Sequence, residues 1–89
     1  MRAAGRIQVE INADPEVVAA ALNRLDKVKK VTPEILEEGW TRYTVWVDSG
    51  TDSRERIFQL AAQNGWPLRS LFRHVATLED VFVELTRRD

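Results

Sequence analysis

Polar and apolar residues alternate from Arg6 to Ile11, with Ile7, Val9 and Ile11 on one side, which predicts a half-buried strand. The period then changes. Asp14 is placed to cap a helix and Pro15 to open it, because the first helical residue needs no N–H donor. Val17, Val18, Ala21, Leu22 and Leu25 follow at helical spacing as one apolar stripe. Val28 to Glu37 returns to strand character but contains Pro33, which cannot donate to a ladder, so this strand belongs at a sheet edge or carries a bulge. Glu38-Gly39 predicts the turn into a third strand, Thr41 to Asp48, with Tyr43, Val45 and Val47 on one face. Ser49-Gly50-Thr51-Asp52 reads as a loop rich in capping residues. A second helix is expected from about Ser53 to Asn64, aligning Ile57, Leu60 and Ala61 with Phe58 beside them. Asn64-Gly65 suits a left-handed helix end, and Pro67 opens a fourth strand from Leu68 to about Arg73. Finally Thr77-Leu78-Glu79-Asp80 has the form of a capping box with aspartate in the last place. It predicts a terminal helix over about 77–87, with Leu78, Val81, Phe82 and Leu85 at i, i+3, i+4 and i+7.

The order β-α-β-β-α-β plus a helix predicts an α+β fold, a ferredoxin-like antiparallel sheet with an extra C-terminal helix. In that arrangement strands one and three are central, and Pro33 and Pro67 fall in the two strands that become edges. Residues 1–5 read as a disordered tail and residues 6–89 as one domain. Two helices suffice to cover one face of such a sheet. The other face is expected to present Arg6, Gln8 and Glu10, then Arg42, Thr44 and Trp46, then Arg69, Leu71 and Arg73. The terminal helix is expected at a flank near Trp46 or Leu71, or against a second chain. Leaving its large apolar side chains in water would forfeit roughly 1.5–3 kcal/mol each. Trp46, Leu78, Val81, Phe82 and Leu85 are therefore the candidate interaction residues.

Composition agrees with a packed domain. Hydrophobic residues make up 44% of the chain, and Leu, Ile, Val and Phe supply 25 of 89 residues, above the level typical of disorder. The longest apolar run, Val17 to Leu22, falls far short of the ~20 residues that span a bilayer. The first residues lack the apolar stretch of a signal peptide, so none is expected. Thirteen basic and fourteen acidic side chains leave a net charge of −1, which gives no general pull towards nucleic acid or anionic membrane. With no cysteine, disulfides, thiolate metal sites and cysteine nucleophiles are all excluded, and a reducing compartment fits.

Candidate chemistry is sparse. The glycines stand at positions 5, 39, 50 and 65, too scattered for a phosphate-binding loop. His74 is the only histidine and reads as a solvated loop residue; a zinc ion there would need three carboxylates beside it. Ser49, Ser53 and Ser70 have no imidazole base other than His74. Glu37/Glu38 and Glu79/Asp80 read as solvated pairs, or as pairs stabilised by a helix dipole. No catalytic, cofactor-binding or metal-binding residue is expected in this chain. Lys27, Lys29 and Lys30 form one basic group, and Arg69, Arg73, Arg87 and Arg88 are candidates for a second. Strand one has no aromatic for stacking bases, so these groups read as solvated surface and no nucleic-acid partner is expected. Arg87 and Arg88 would complement the dipole at the end of the terminal helix. Trp40 and Trp66 sit beside turns, where partial burial is ordinary. Trp46 is expected beneath the terminal helix or on a contact surface.

Thr77-Leu78-Glu79-Asp80-Val81-Phe82-Val83-Glu84-Leu85-Thr86 resembles the S/T-L-E-D-V-F-x-x-L-T stretch that closes many ATP-binding subunits of bacterial and archaeal ABC-type exporters. Gly65-Trp66-Pro67 is similar to the G-x-P that often precedes the final strand of their C-terminal accessory domain. Ala76 stands where that family often has proline, and Arg87 where it often has glycine. The resemblance implies a non-catalytic accessory or regulatory domain, without a cofactor, of an ATP-hydrolysing transport subunit. It implies a cytoplasmic location, peripheral to the membrane through the parent transporter and without direct membrane insertion. Its implied partners are the parent's ATPase domain, a dimer mate or the membrane subunit. The alternative is an ACT-like domain sensing an amino acid, since Asp14-Pro15 resembles that family's ligand loop. Glu16 stands where its glycine is expected.

Overall fold

The computed structural model describes residues 5–48 and 50–74. These form β1 (Gly5–Asn12), α1 (Pro15–Asn23), β2 (Val28–Ile35), β3 (Trp40–Val47), α2 (Arg54–Asn64) and β4 (Leu68–His74). Among the described residues the architecture is α+β, with a four-stranded antiparallel sheet and two helices, and the strands run β2-β3-β1-β4 across the sheet. The expected terminal helix, with Leu78, Val81, Phe82 and Leu85, lies outside the described residues. Gly5, expected in the tail, instead opens β1 opposite Val47. An added Cβ at Gly5 would come within 2.8 Å of Val47 Cγ2, so the residue belongs to the packed sheet.

Period-two alternation places Ile7, Val9 and Ile11 of β1 and Tyr43, Val45 and Val47 of β3 on one face, all fully buried. Val18 and Leu22 of α1 and Ile57 of α2 close over them as a single core. Val17 is the exception on the expected α1 stripe: it is exposed, because the buried contact follows the i, i+4 pair Val18 and Leu22. The entry to α1 follows the sequence, with Asp14 Oδ1 accepting from the Glu16 N–H at 3.0 Å and Pro15 in the first turn. At α2 the neighbour takes over. Ser53 sits buried at the cap but makes no side-chain cap bond, while Asp52 Oδ1 accepts from the Arg54 N–H at 3.1 Å. Gly65 ends α2 at φ +68°, and the N–H groups of Gly65 and Trp66 donate to the carbonyls of Ala62 and Ala61.

Both prolines fall at edges. Pro33 lies in β2 opposite Tyr43, and Pro67 precedes β4, with its carbonyl accepting from the Asn12 N–H at 3.0 Å. The irregularity in β2 lies between Val28 and Lys30, not at Pro33. A second one corrects the expected face of β4. Glu10 pairs with Ser70 but Ile11 pairs with Leu68, so Arg69 is an extra residue and the alternation inverts beyond it. Leu71 and Arg73 therefore stand opposite Val9 and Ile7 on the helix-covered side, and Leu71 packs against the core. Phe72 and His74 take their place on the open side, opposite Gln8 and Arg6.

Candidate interaction surface

The face without helices is laid out in rows by strand register. At one end Lys30, Trp46, Arg6 and His74 stand side by side across β2, β3, β1 and β4. Thr32, Thr44, Gln8 and Phe72 form the next row, and Glu34, Arg42, Glu10 and Ser70 the third. Trp40 and Asn12 close the far end, with Arg69 reaching in from the bulge. Trp46 thus lies on the face its parity predicts. Phe72 is 55% exposed in the middle of the same face.

Glu10 is the electrostatic centre. Its side chain is only 14% exposed and sits between two guanidinium groups. Arg69 Nε donates to Glu10 Oε1 at 2.7 Å, and Arg42 Nε donates to Glu10 Oε2 at 3.1 Å. Each arginine also reaches an outer carboxylate: Arg42 Nη1 bonds Glu34 at 3.2 Å and Arg69 Nη2 bonds Glu37 at 3.3 Å. The Arg69 hydrogen bond is the largest influence holding the Glu10 carboxyl below its usual range, against an opposing desolvation effect, with Arg42 assisting. The Glu37 carboxyl is also lowered, first by its own backbone N–H and then by Arg69. Arg69 lies 4.4 Å from the ring centroid of Trp40, so a cation–π contact and two carboxylates fix its plane. These contacts make a cross-strand lock from β2 to β4, in which every charged group is already committed to a neighbour of opposite sign.

The opposite end is different in kind. Arg6 lies over the Trp46 ring with its guanidinium carbon 5.5 Å from the centroid. Arg6 Nε and Trp46 Nε1 are both buried and have no hydrogen-bond partner among the described residues. Such donors are ordinarily satisfied when removed from water.

Of the five interaction residues expected from the sequence, Trp46 alone lies among the described residues. Of the two expected basic groups, Lys29 is paired with Asp48 at 3.1 Å, while Arg69 and Arg73 lie on opposite faces of the sheet. His74 is the last residue of β4 rather than a loop residue, because the ladder extends to Arg6. Glu38 has φ +58° in the turn, where its carbonyl accepts from Asn12 Nδ2 at 3.2 Å. Asp14 is engaged in capping α1. Sequence reasoning missed Glu10, Arg42 and Arg69 as a unit. All three were expected on the open face and the opposite charges at positions 10 and 42 face each other once β1 and β3 are paired, but the register that sets Arg69 beside Glu10 comes from the bulge. Among the described residues no group of three His, Cys, Asp or Glu side chains could hold a metal ion. No helix among them is long and apolar enough to cross a membrane. No protein-family model and no curated protein matches the chain.

Proposed function

We propose that this chain is a ferredoxin-like, non-catalytic C-terminal accessory domain of an ABC-type exporter's ATP-binding subunit, acting through protein–protein contact. The observation that carries the contact reading is the open sheet face. It combines Trp46 and exposed Phe72 with a rigid ion-pair lock, a surface suited to recognition rather than to bond making. The element order and the edge positions of Pro33 and Pro67 support the ferredoxin-like arrangement. The Thr77–Thr86 resemblance supports the exporter assignment. On this reading the parent subunit hydrolyses ATP with residues outside this chain, in the cytoplasm and peripheral to the membrane. The domain steadies the ATPase dimer or governs how the subunit docks on its membrane partner.

The direct test is to sequence the coding DNA upstream of Met1 in the source genome. An in-frame phosphate-loop ATPase is the expected result. An intervening stop codon, or an unrelated upstream domain, would overturn the exporter reading.

A further inference from the structure

β2 is an edge strand exposed along almost its whole length. Lys29, Lys30, Thr32, Pro33, Glu34 and Ile35 are all exposed, Ile35 at 69%. β3 lies on one side of it, and no strand among the described residues lies on the other. The Leu36 N–H donates to the Trp40 carbonyl at 2.9 Å, which fixes the hydrogen-bonding parity of the pair. The register is regular from Lys30 to Ile35, so Thr32 and Glu34, like Leu36, turn their backbone groups towards β3. Val31, Pro33 and Ile35 turn theirs outward. A row of unpaired backbone groups is a template for another strand. Here its central position has no N–H to give, and the proline ring stands where the amide proton would be.

We propose that Pro33 is a guard that keeps β2 from pairing with β2 of a second copy of this chain. The rest of the strand is self-complementary. Turned antiparallel about a two-fold axis at position 33, Val31 meets the partner's Ile35 with both backbone hydrogen bonds available. Val31 and Ile35 stand opposite buried Val45 and Thr41, so these β-branched pairs form on the helix side and cover the exposed Ile35. On the open face Thr32 stands beside the partner's Glu34, and Lys30 lies diagonal to the same carboxylate. The obstacle is at the axis, where each proline ring faces a carbonyl that needs a donor. Sliding the register to either side only moves the obstacle, because Pro33 then faces the carbonyl of the partner's Val31 or the partner's Ile35. This assignment stands on the described residues of β2 and β3 and does not depend on the exporter reading.

The test restores the missing donor. Pro33→Val in the full 89-residue chain supplies the N–H and removes the ring. Sedimentation equilibrium should show dimerisation at least tenfold tighter than in the unaltered chain. Residue-resolved amide exchange should be fast at Val31 and Ile35 in the unaltered chain and should slow with rising concentration in the variant. Adding Ile35→Pro to Pro33→Val returns a ring to the outward edge and should bring association back to the unaltered level. Pro33→Thr restores the same N–H, should strengthen association in the same direction, and replaces Pro33→Val if that chain does not fold. A folded variant that associates no more tightly than the unaltered chain overturns the proposal, as does association that survives Ile35→Pro. Slow exchange at Val31 and Ile35 in the unaltered chain also overturns it, because the edge is then already covered.

Discussion

Glu10 carries the sharpest prediction at the scale of single residues. Its carboxyl is held below the ordinary value of 4.5, most strongly by the Arg69 hydrogen bond, so the folded state binds its proton more weakly than the unfolded state does. That stabilisation is complete above the unfolded value and is lost as pH falls through the lowered folded value. Glu10→Gln should therefore lower stability at neutral pH by about 1 kcal/mol, a figure kept small because the outer parts of the lock are solvated. The gap to the wild type should close in acid, as measured by urea denaturation across a pH series. A gap that persisted unchanged in acid would mean that packing, rather than charge, accounts for the loss. Asp52 reinforces the trend. Arg54, through its side chain and then its backbone N–H, lowers the Asp52 carboxyl from 3.8 to about 2, so acid instability should develop between about pH 4.5 and 2. Tyr43 predicts the opposite sign. It is fully buried, its hydroxyl makes no hydrogen bond of good geometry among the described residues, and burial pushes the phenol above its usual range against a smaller opposing effect of the nearby Thr41 side chain. Tyr43→Phe removes an unsatisfied polar group while keeping the ring, so its melting temperature should equal or exceed that of the wild type. A loss of more than about 1 kcal/mol would reveal a hydrogen bond to that hydroxyl.

Among the elements, helix ends and strand registers follow different rules. Gly65 closes α2 with φ +68° and open space where a Cβ would point, so only backbone strain opposes substitution. Gly65→Ala should cost about 1 kcal/mol and Gly65→Asn less, since asparagine tolerates the left-handed region better. Thermal melts of both variants check the order, and equal losses would contradict this account of the cap. This ending was legible beforehand because Asn64-Gly65 is a local signal. So were the alternations of β1 and β3, whose buried sets are the predicted ones, and the edge character announced by Pro33. The face of β4 was not legible. Nothing local in Leu68 to His74 marks Arg69 as an extra residue; it becomes extra only when Glu10 meets Ser70 and Ile11 meets Leu68. One inserted residue in a period-two element exchanges every side chain beyond it, which is why Leu71 was expected outside and Phe72 was overlooked. The start of α2 was legible too, because Asp52, one of the capping residues expected in the preceding loop, accepts from the Arg54 N–H through a charged oxygen and also holds the Arg54 side chain.

Taken as a whole molecule, the sheet has two sides with separate tasks. One side is packed by α1 and α2 into a single core; the other is braced by the Glu10 lock and ends in the shielded Arg6–Trp46 corner. The most direct measurement is made on the proposed parent ATPase subunit, carrying Phe72→Asp on the exposed sheet face, by comparing its assembly and ATP turnover with the unaltered protein. We expect the domain to remain folded, with the Trp66 indole signal in place, and assembly to weaken about tenfold, equivalent to ~1.4 kcal/mol, with a matching loss of turnover. A folded Phe72→Asp variant that assembles and turns over at the unaltered rates would contradict a role through contact.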